Sequence, residues 1–382
     1  MKSTQGSFDP KYVGVEAAFT QGLVSEQEVG ASVAVIRDGE TVVDLWGGCT
    51  DRDRTQPWRE DTISCCFSIS KAITAICLLQ AVDRGHLELD QPIAGLWPEF
   101  GTNDKQDITL RHVLSHQAGL PGFHEPVDAS LFYEWDAVCE ALARESVWWP
   151  PGSAHGYHAR SFGFLCGEVL RRATGKSVTG WLREHITDPY NIDFHFQLDQ
   201  SAQARCADML PAKLGSFPQD QLTEAQRQMA AVFTDTSTPT GAAFQNPQFG
   251  PGYMNQQDFR EALMPASSGH GNARSVAQIF SRLPELLSAE ILAEAGRTQT
   301  EGADRVLFTH TRMGLGFMLH EDSARIGWHG CMGHAGAGGS IGFYDPDTKV
   351  AFAFVMNQMQ EGAVTSGMTA QACIDALFSC LN

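Results

Sequence analysis

The amino-acid sequence predicts an α/β fold of the α+β type: an antiparallel sheet flanked by N- and C-terminal helices, with a mostly helical second domain. Residues 31–36 and 41–46 are rich in β-forming side chains and flank Asp38-Gly39, a dipeptide typical of a hairpin turn. Strand-like runs return at residues 340–344 and 349–356. The last run is apolar on both faces, so we expect helices to cover both sides of the sheet.

Helical periodicity places the other elements around these strands. Apolar residues at helical spacing predict an N-terminal helix through Tyr12, Val15, Phe19 and Leu23, and a C-terminal helix through Ile374, Leu377 and Phe378. Further helices are expected from about Ser68 to Gly85 and at residues 108–116, 160–173 and 275–287. Residues 314–319 form another candidate strand. Residues 50–61 and 236–257 are expected to be loops, the second a binding element or lid.

The chain of 382 residues is too long for one small core, which suggests two lobes. Strands at both ends with helices between them imply one sheet closed by both termini. We therefore expect a discontinuous sheet domain of residues 1–65 and 265–382. Residues 66–264 would form a mostly helical domain that contributes the loops of a substrate pocket.

Charge and targeting signals limit the possible partners. The formal net charge of −18 makes nucleic acid and anionic membrane surfaces unfavourable partners. The first residues lack the apolar stretch of a signal peptide, and no apolar run is long enough to span a bilayer. We therefore expect a cytoplasmic protein in which the ten cysteines are free thiols.

The segment Ser68-Ile69-Ser70-Lys71 carries the clearest chemistry in the sequence. Positions three apart share one face of a helix, so Ser68 and Lys71 would point the same way. A serine becomes a nucleophile when a neighbouring base takes its proton, and a lysine of lowered pKa can be that base. S-x-x-K is a short pattern, and a capped helix with a surface lysine is the alternative interpretation.

Other segments are weaker candidates when each is considered alone. Tyr157 follows a Pro-Gly turn and could share the proton transfer, because a phenol beside an ammonium ionises more easily; it could equally be a core tyrosine. The glycine-rich residues 333–340 precede a predicted strand and would let a backbone N–H approach a substrate. His112 and His116 are spaced as metal ligands can be, but no third ligand is evident, so we expect neither a metal nor a cofactor.

Taken together, three of these segments resemble the motifs of a known superfamily. They are Ser68-Ile69-Ser70-Lys71, Tyr157 within residues 151–159, and Gly333-His334-Ala335-Gly336. Their order and separations resemble the serine β-lactamases and penicillin-binding proteins, in particular the class C branch and the family VIII carboxylesterases of that fold. Residues 114–121 and 268–274 add support, and the resemblance extends over about residues 30–360.

The resemblance implies roles for individual residues. Ser68 would be the acylated nucleophile, Lys71 and Tyr157 the general-base pair, and the backbone N–H groups of Ser68 and Ala337 the oxyanion hole. His334, Gly336 and His158 would contact substrate. His334 stands where β-lactamases carry a lysine, and Ala159 stands where class C enzymes carry an asparagine.

These two departures favour hydrolysis of small carboxylic esters over that of β-lactams. Any cephalosporin turnover is expected to rise as the pH falls toward the pKa of His334. Related alternatives are a D-amino-acid amidase or peptidase, a β-lactamase, and an acyltransferase to a small alcohol; a non-catalytic scaffold of the same fold is the alternative from a different class. The sequence carries no signal for acyl length, stereopreference or oligomeric state.

Overall fold

The computed structural model describes residues 3–212, 223–322, 324–360 and 366–381. Within them the strands are β1 (Thr4–Phe8), β2 (Gly30–Arg37), β3 (Glu40–Gly48), β4 (Ser64–Phe67), β5 (Phe194–His195), β6 (Gly269–Gly271), β7 (Thr300–Ala303), β8 (His310–Met313), β9 (Met318–Leu319), β10 (Met332–Ala335), β11 (Ile341–Asp345) and β12 (Val350–Met356).

The α-helices are α1 (Val13–Val24), α2 (Ile69–Asp83), α3 (Leu110–Leu114), α4 (Trp135–Arg144), α5 (Ser161–Thr174), α6 (Val178–Leu182), α7 (Asp188–Tyr190), α8 (Gln200–Gln203), α9 (Glu224–Val232), α10 (Pro239–Gln245), α11 (Gln257–Glu261), α12 (Ala273–Ser281), α13 (Leu283–Leu286), α14 (Ala289–Gly296) and α15 (Met368–Leu381). None of the helices in the described ranges combines the length and apolar character needed to cross a membrane.

A nine-stranded antiparallel sheet joins the two ends of the chain, which confirms the predicted fold class. Its strand order is β1-β3-β2-β12-β11-β10-β9-β8-β7, and a smaller sheet has the order β4-β6-β5. The central pairing sets β2 against β12, with Ser32 opposite Val355. The predicted hairpin at Asp38-Gly39 is confirmed, because β2 and β3 pair through it.

Helices cover both faces of this sheet, as the apolar strand β12 predicts. On one face α1 and α15 pack together, and Phe19 of α1 makes an edge contact with Phe354 at 6.3 Å between ring centroids. On the other face α12 lies close to β11, where a Cβ on Gly342 would come within 2.7 Å of Val276. One large hydrophobic core extends from the sheet into the helical part of the chain.

The predicted helices around Ser68 and at residues 160–173 are confirmed as α2 and α5. The α2 side chains from Ile69 to Ala81 are buried, and the helix ends just before Gly85, which has a φ of +76°. Helix α5 ends at Gly175 with a φ of +72°. Glycine tolerates this left-handed conformation, so both helices end where the glycine allows the chain to turn away.

Several predictions of local structure are wrong. The predicted helix at 108–116 is only Leu110–Leu114, and the helix at 275–287 begins earlier and divides before Pro284 into α12 and α13. The predicted loop at 236–257 contains α10, which begins with a Thr238 cap and Pro239. Strands β1, β7 and β8 were not predicted, and the candidate strand at 314–319 is reduced to Met318–Leu319.

The division into a sheet domain (1–65 and 265–382) and a helical domain (66–264) stays a prediction. The nine strands of the large sheet all lie within residues 4–48 and 300–356. Ser68 occupies the cap position of α2, which is the first helix after the chain leaves that sheet at the end of β3. Residues 196–262 have the weakest sequence patterns of the chain, and 213–222 among them lie outside the described residues.

Candidate active site

Ser68 lies at the junction between strand β4 and helix α2. The preceding residue, Phe67, has a φ of +45°, a left-handed conformation that costs a non-glycine residue about 1–3 kcal/mol. Ser68 itself occupies the cap position of α2, but its hydroxyl does not cap the helix. The side chain is half-buried, whereas the nearby Ser64 and Ser70 are fully buried. The strained turn therefore leaves one serine hydroxyl free to react.

Lys71 is completely buried and faces Ser68 from the first turn of the same helix. Its Nζ lies 3.1 Å from the Ser68 Oγ, 2.7 Å from the Ala159 carbonyl oxygen and 3.0 Å from the Ala266 carbonyl oxygen. A neutral amine has two N–H groups, and the two carbonyls accept both. The remaining lone pair then faces the Ser68 O–H, which can donate to it.

The electrostatic surroundings of Lys71 favour that neutral form. Burial lowers the pKa of Lys71 well below its usual range, and the positive charge of Arg160 lowers it further. A lowered pKa raises the share of the neutral amine, the form that can accept a proton. This is the condition that the S-x-x-K hypothesis requires of a general base.

Tyr157 lies against both of these side chains. Its ring centroid is 4.7 Å from the Lys71 Nζ, and its phenol hydrogen-bonds with Ser68. Burial raises the pKa of Tyr157 despite this hydrogen bond. The expectation that an adjacent ammonium lowers the pKa of the phenol is wrong, because burial has the larger effect and raises it. Tyr157 therefore holds its proton and can donate it.

Asp304 holds the Tyr157 segment in place. One of its carboxylate oxygens accepts hydrogen bonds from the backbone N–H groups of Tyr157, Val306 and Leu307, at 3.1, 2.8 and 2.9 Å. Asp304 is 2% exposed, and burial raises its pKa. Nothing in the sequence around Asp304 pointed to this contact, since the two segments are far apart in the chain.

Gly336 of the third motif packs against strand β4, the strand that leads to Ser68. The strand predicted directly after this glycine-rich segment is confirmed as β11, and a further strand that was not predicted, β10, overlaps the start of the segment. A Cβ on Gly336 would lie 2.4 Å from the Cys66 carbonyl oxygen, so only glycine fits, and the Ser340 hydroxyl donates to the same carbonyl at 3.3 Å. Ala337 is exposed at the end of this approach, where its N–H can face a substrate.

His334 is a buried neutral imidazole. Its Nδ1 donates to the Ala335 carbonyl at 2.7 Å, so its Nε2 carries no proton, and this Nε2 has no partner among the described residues. Burial, and then the charge that Lys71 can carry, lower the pKa of His334 to about 3. The rise in cephalosporin turnover expected near the pKa of His334 stays a prediction, and the raised charge on which it depends would need a pH of about 3.

His158 has both ring nitrogens engaged. Its Nδ1 donates to the Gly156 carbonyl at 2.7 Å, and its Nε2 accepts from the Leu120 N–H at 2.9 Å. The ring is fully buried, which lowers its pKa to about 4. This geometry gives His158 the task of joining the Tyr157 segment to residues 116–120, and its predicted contact with substrate stays a prediction.

The two histidines spaced like metal ligands do not form a pair. Helix α3 ends before His116, which has a φ of +62° and accepts the His158 N–H at its Nδ1. The His112 ring instead accepts a backbone N–H at the start of α3. In the described ranges, Glu301, His310 and Glu321 are the group whose ligand atoms lie close enough to hold an ion, and neither His112 nor His116 belongs to it.

Most of the polar contacts around Lys71 could not be expected from motifs. The carbonyls of Ala159 and Ala266 are backbone groups, which any residue type supplies. Arg160 follows Ala159 directly, yet its importance depends on the burial of its neighbours. The side chains predicted to do the chemistry are nevertheless brought together, with Ser68, Lys71 and Tyr157 in mutual contact.

A serine hydroxyl facing the lone pair of a buried amine is arranged for acyl transfer. The fold and this site together define an active-serine enzyme. Residues 15–373 match the Beta-lactamase family model, and the chain belongs to that family. The superfamily predicted from three short motifs is thereby confirmed.

Individual relatives agree with this assignment over nearly the whole chain. The chain is 31% identical over 378 residues to the esterase/beta-lactamase LipL of Mycobacterium tuberculosis, covering 93% of this chain and 83% of that protein. The crystal structure of a family VIII carboxylesterase superposes with a TM-score of 0.88 at 31% identity, covering 99% of this chain and 100% of the other. A penicillin-binding protein homologue from Caulobacter crescentus has a TM-score of 0.86, also at 31% identity, with the same coverage.

Proposed function

We propose that the protein hydrolyses small carboxylic esters through an acyl-serine intermediate on Ser68. The observation that carries this proposal is the 3.1 Å contact from Lys71 Nζ to Ser68 Oγ, made by an amine whose two N–H groups are taken by carbonyls. The relatives named as esterases and as a family VIII carboxylesterase support ester hydrolysis as the reaction.

Acylation begins with the proton of Ser68. The hydroxyl passes it to the neutral Lys71 amine as the oxygen attacks the ester carbonyl carbon, forming a tetrahedral intermediate with a negative oxygen. The backbone N–H groups of Ser68 and Ala337 would stabilise that oxygen. The Ser68 N–H lies at the positive end of helix α2, which adds to the stabilisation of an anion.

Departure of the alcohol needs a proton at the leaving oxygen. Tyr157 holds its phenolic proton because burial raises its pKa, so it can donate to the alkoxide as the carbon–oxygen bond breaks. Lys71, now an ammonium, returns the proton to the phenolate. A water molecule repeats the same steps on the acyl-serine and releases the acid, leaving Ser68 and Lys71 as they began.

The substrate cleft is bordered by groups that carry little charge. His334 is neutral and buried, and Gly336 has only backbone atoms to contact a substrate. The predicted contact of His158 with substrate would be made by the residues next to it in the chain. A β-lactam carries a carboxylate next to its ring, and the neutral imidazole of His334 offers that carboxylate no positive charge near pH 7. A small neutral ester needs only the nucleophile, the proton relay and the oxyanion hole, so the site favours the ester.

A fluorophosphonate probe combined with a substrate panel tests this function. The panel would contain p-nitrophenyl esters of increasing chain length, D-alanyl amides and a chromogenic cephalosporin. We expect labelling of Ser68 and turnover of short esters. Absence of labelling would favour a non-catalytic scaffold, and a preference for D-alanyl amides would favour an amidase.

We also propose a cytoplasmic location. All ten cysteines are free in the structure, and eight of them are buried, as suits a reducing compartment. Protein isolated without reductant should titrate as ten thiols in denaturant. A markedly lower count would contradict the proposed location without affecting the proposed reaction.

A further inference from the structure

Arg160 lies next to the carbonyl that binds the catalytic amine. It precedes helix α5 directly and follows Ala159, whose carbonyl oxygen accepts from Lys71 at 2.7 Å. Its Nη1 donates to the Pro247 carbonyl at 2.6 Å and its Nη2 to the Phe244 carbonyl at 2.7 Å. The Arg160 side chain therefore joins the surroundings of Lys71 to the end of α10 and the residues that follow it.

Among the described residues, the contacts of the Arg160 guanidinium are with neutral groups. Its contacts are two carbonyls, the Phe249 ring with its centroid 4.7 Å away, and the Tyr253 side chain, all of them neutral. Within the part of the chain that the structure describes, none of these hydrogen-bond partners is a carboxylate. Burial lowers the pKa of Arg160, but a guanidinium stays charged in proteins.

Other arginines of the protein form ion pairs with carboxylates. Arg171 and Arg172 of the same helix α5 both pair with the Glu168 carboxylate at 2.7 Å. Arg205 pairs with Asp193, also at 2.7 Å. Arg160 is thus held by hydrogen bonds and by the Phe249 ring, and no carboxylate among these contacts compensates its positive charge.

The groups that face Lys71 do not offset this charge. The titratable and charged side chains around the amine are Arg160, Tyr157, His116, His158, His334 and Cys166. Burial lowers the pKa of the three histidines and raises that of the Cys166 thiol and of the phenol, so all five other groups are neutral near pH 7.

The Arg160 guanidinium also contacts residues Phe244 and Pro247, and this segment beside Tyr157 is called the Phe244–Pro247 wall. The Phe244 ring stacks on the Tyr157 ring, with 6.3 Å between centroids and 27° between planes. Phe244 also packs against Phe233 at 5.3 Å. Since the Arg160 Nη2 bonds to the Phe244 carbonyl, the position of this wall depends on the guanidinium.

We propose that Arg160 is a positioning residue with two tasks: its unpaired charge keeps Lys71 a neutral amine, and its fork fixes the Phe244–Pro247 wall beside Tyr157. This inference rests on the proposed function, since it assigns Lys71 the role of base. A second cation beside Arg160 is unfavourable, so the amine gives up its proton at a lower pH than burial alone would cause. The enzyme then works further toward acid pH.

Variants that separate charge from hydrogen bonding test the two tasks. Arg160→Met removes both, Arg160→Gln keeps N–H donors without charge, and Arg160→Lys keeps the charge without the fork. The readout is the pH profile of kcat/KM for p-nitrophenyl butyrate from about pH 5 to about pH 10, together with the rate of fluorophosphonate labelling over the same range. Arg144→Met, at an exposed arginine that pairs with Glu140 at 3.7 Å, controls for general loss of charge.

We expect the acid limb of both profiles to move up by about one pH unit in the Met and Gln variants and to stay in place in the Lys and Arg144 variants. The Lys variant should instead show a raised KM, because the wall loses one of its two hydrogen bonds. Acid limbs of the Met and Gln variants that coincide with the wild type would overturn the inference and leave Arg160 a structural clamp.

The outcomes also distinguish failure of this inference from failure of the proposed function on which it rests. Wild-type protein that neither labels at Ser68 nor cleaves esters would refute the proposed function itself. If circular dichroism shows that neither neutral variant folds, the Lys variant decides. An acid limb displaced in that variant, despite its retained charge, would overturn the electrostatic role.

Discussion

The hydroxyl of Ser70, which lies two residues beyond the nucleophile Ser68, accepts a hydrogen bond from the backbone N–H of Gly269 at 2.9 Å. Ser70 is thereby committed to joining α2 to β6, and a Cβ on Gly269 would come within 2.6 Å of its Oγ. Ser64 is similarly committed, because its hydroxyl donates to the Met356 carbonyl at 3.2 Å. Only Ser68 of these three serines has the Lys71 amine in contact with its hydroxyl.

Replacing each serine by alanine should separate the nucleophile from its neighbours. Ser68→Ala should abolish esterase activity and probe labelling, while Ser64→Ala and Ser70→Ala keep labelling. Ser70→Ala should lower the free energy of unfolding by about 1–3 kcal/mol, because the Gly269 N–H is left buried without a partner. An acyl adduct detected by intact mass on Ser68→Ala would refute the assignment.

Loss of either relay group should slow catalysis without unfolding the protein. Lys71→Ala and Tyr157→Phe should each lower kcat/KM by about 10²–10⁴-fold, and the double variant should lose little more because the groups act as a unit. Lys105→Ala is the matched control, since Lys105 is also fully buried but bonds to the Glu145 carbonyl. Near wild-type turnover in Tyr157→Phe would leave Lys71 as the relay by itself.

Substrate preference should follow the neutrality of His334. We expect good turnover of p-nitrophenyl butyrate and slow or undetectable turnover of a chromogenic cephalosporin on one preparation. Cephalosporin turnover should not rise from pH 7 to about pH 5, since the pKa of His334 is about 3 and its charged form is absent there. Ser68→Ala gives the background rate. A cephalosporin kcat/KM equal to the ester value would contradict the esterase function.

Glu28 should make stability depend on pH far from the site. It is 1% exposed, one of its oxygens has no partner, and burial raises its pKa to about 7. A carboxyl whose pKa is higher in the folded protein stabilises it below the unfolded pKa, and this contribution is lost as pH rises through about 7. Glu28→Gln should therefore raise the free energy of unfolding above that pH by up to about 3 kcal/mol.

Urea unfolding at about pH 5 and about pH 8.5 measures this difference. The variant should gain stability mainly at the higher pH, and the exposed Glu88→Gln should show no such dependence. Equal effects of Glu28→Gln at both pH values would show that Glu28 ionises as readily in the folded chain as in the unfolded one.

Local patterns predicted the elements that bury a continuous apolar face. Strand β12 and helix α2 are such elements, and both are present. Strands β1 and β7 lack that signal because they are polar edge strands whose side chains are largely exposed. Helix α10 did have a local signal, a threonine cap followed by proline, within a stretch whose composition favoured a loop.

The site shows a similar division between what sequence patterns can and cannot reveal. The reactive side chains form short motifs, so Ser68 and Lys71 could be proposed from residue types and spacing. The carbonyl of Ala266 and the carboxylate of Asp304 reach the site only through the fold, and no residue type marks a backbone acceptor. The pKa of a histidine likewise depends on burial, so the neutral state of His334 needed the structure.

The pairing of Ser32 with Val355 at the centre of the sheet also dictates an order of events during synthesis. At about 5–20 residues per second, the ribosome needs tens of seconds to make the partner of β2 after β2 itself has emerged. Until then the edge of β2 that pairs with β12 has no partner, and closing the long loop between these two strands costs chain entropy. A nascent chain that stops before β12 lacks the strand that joins β2 to β11, so the sheet that carries the third motif is still separated from the hairpin of β2 and β3.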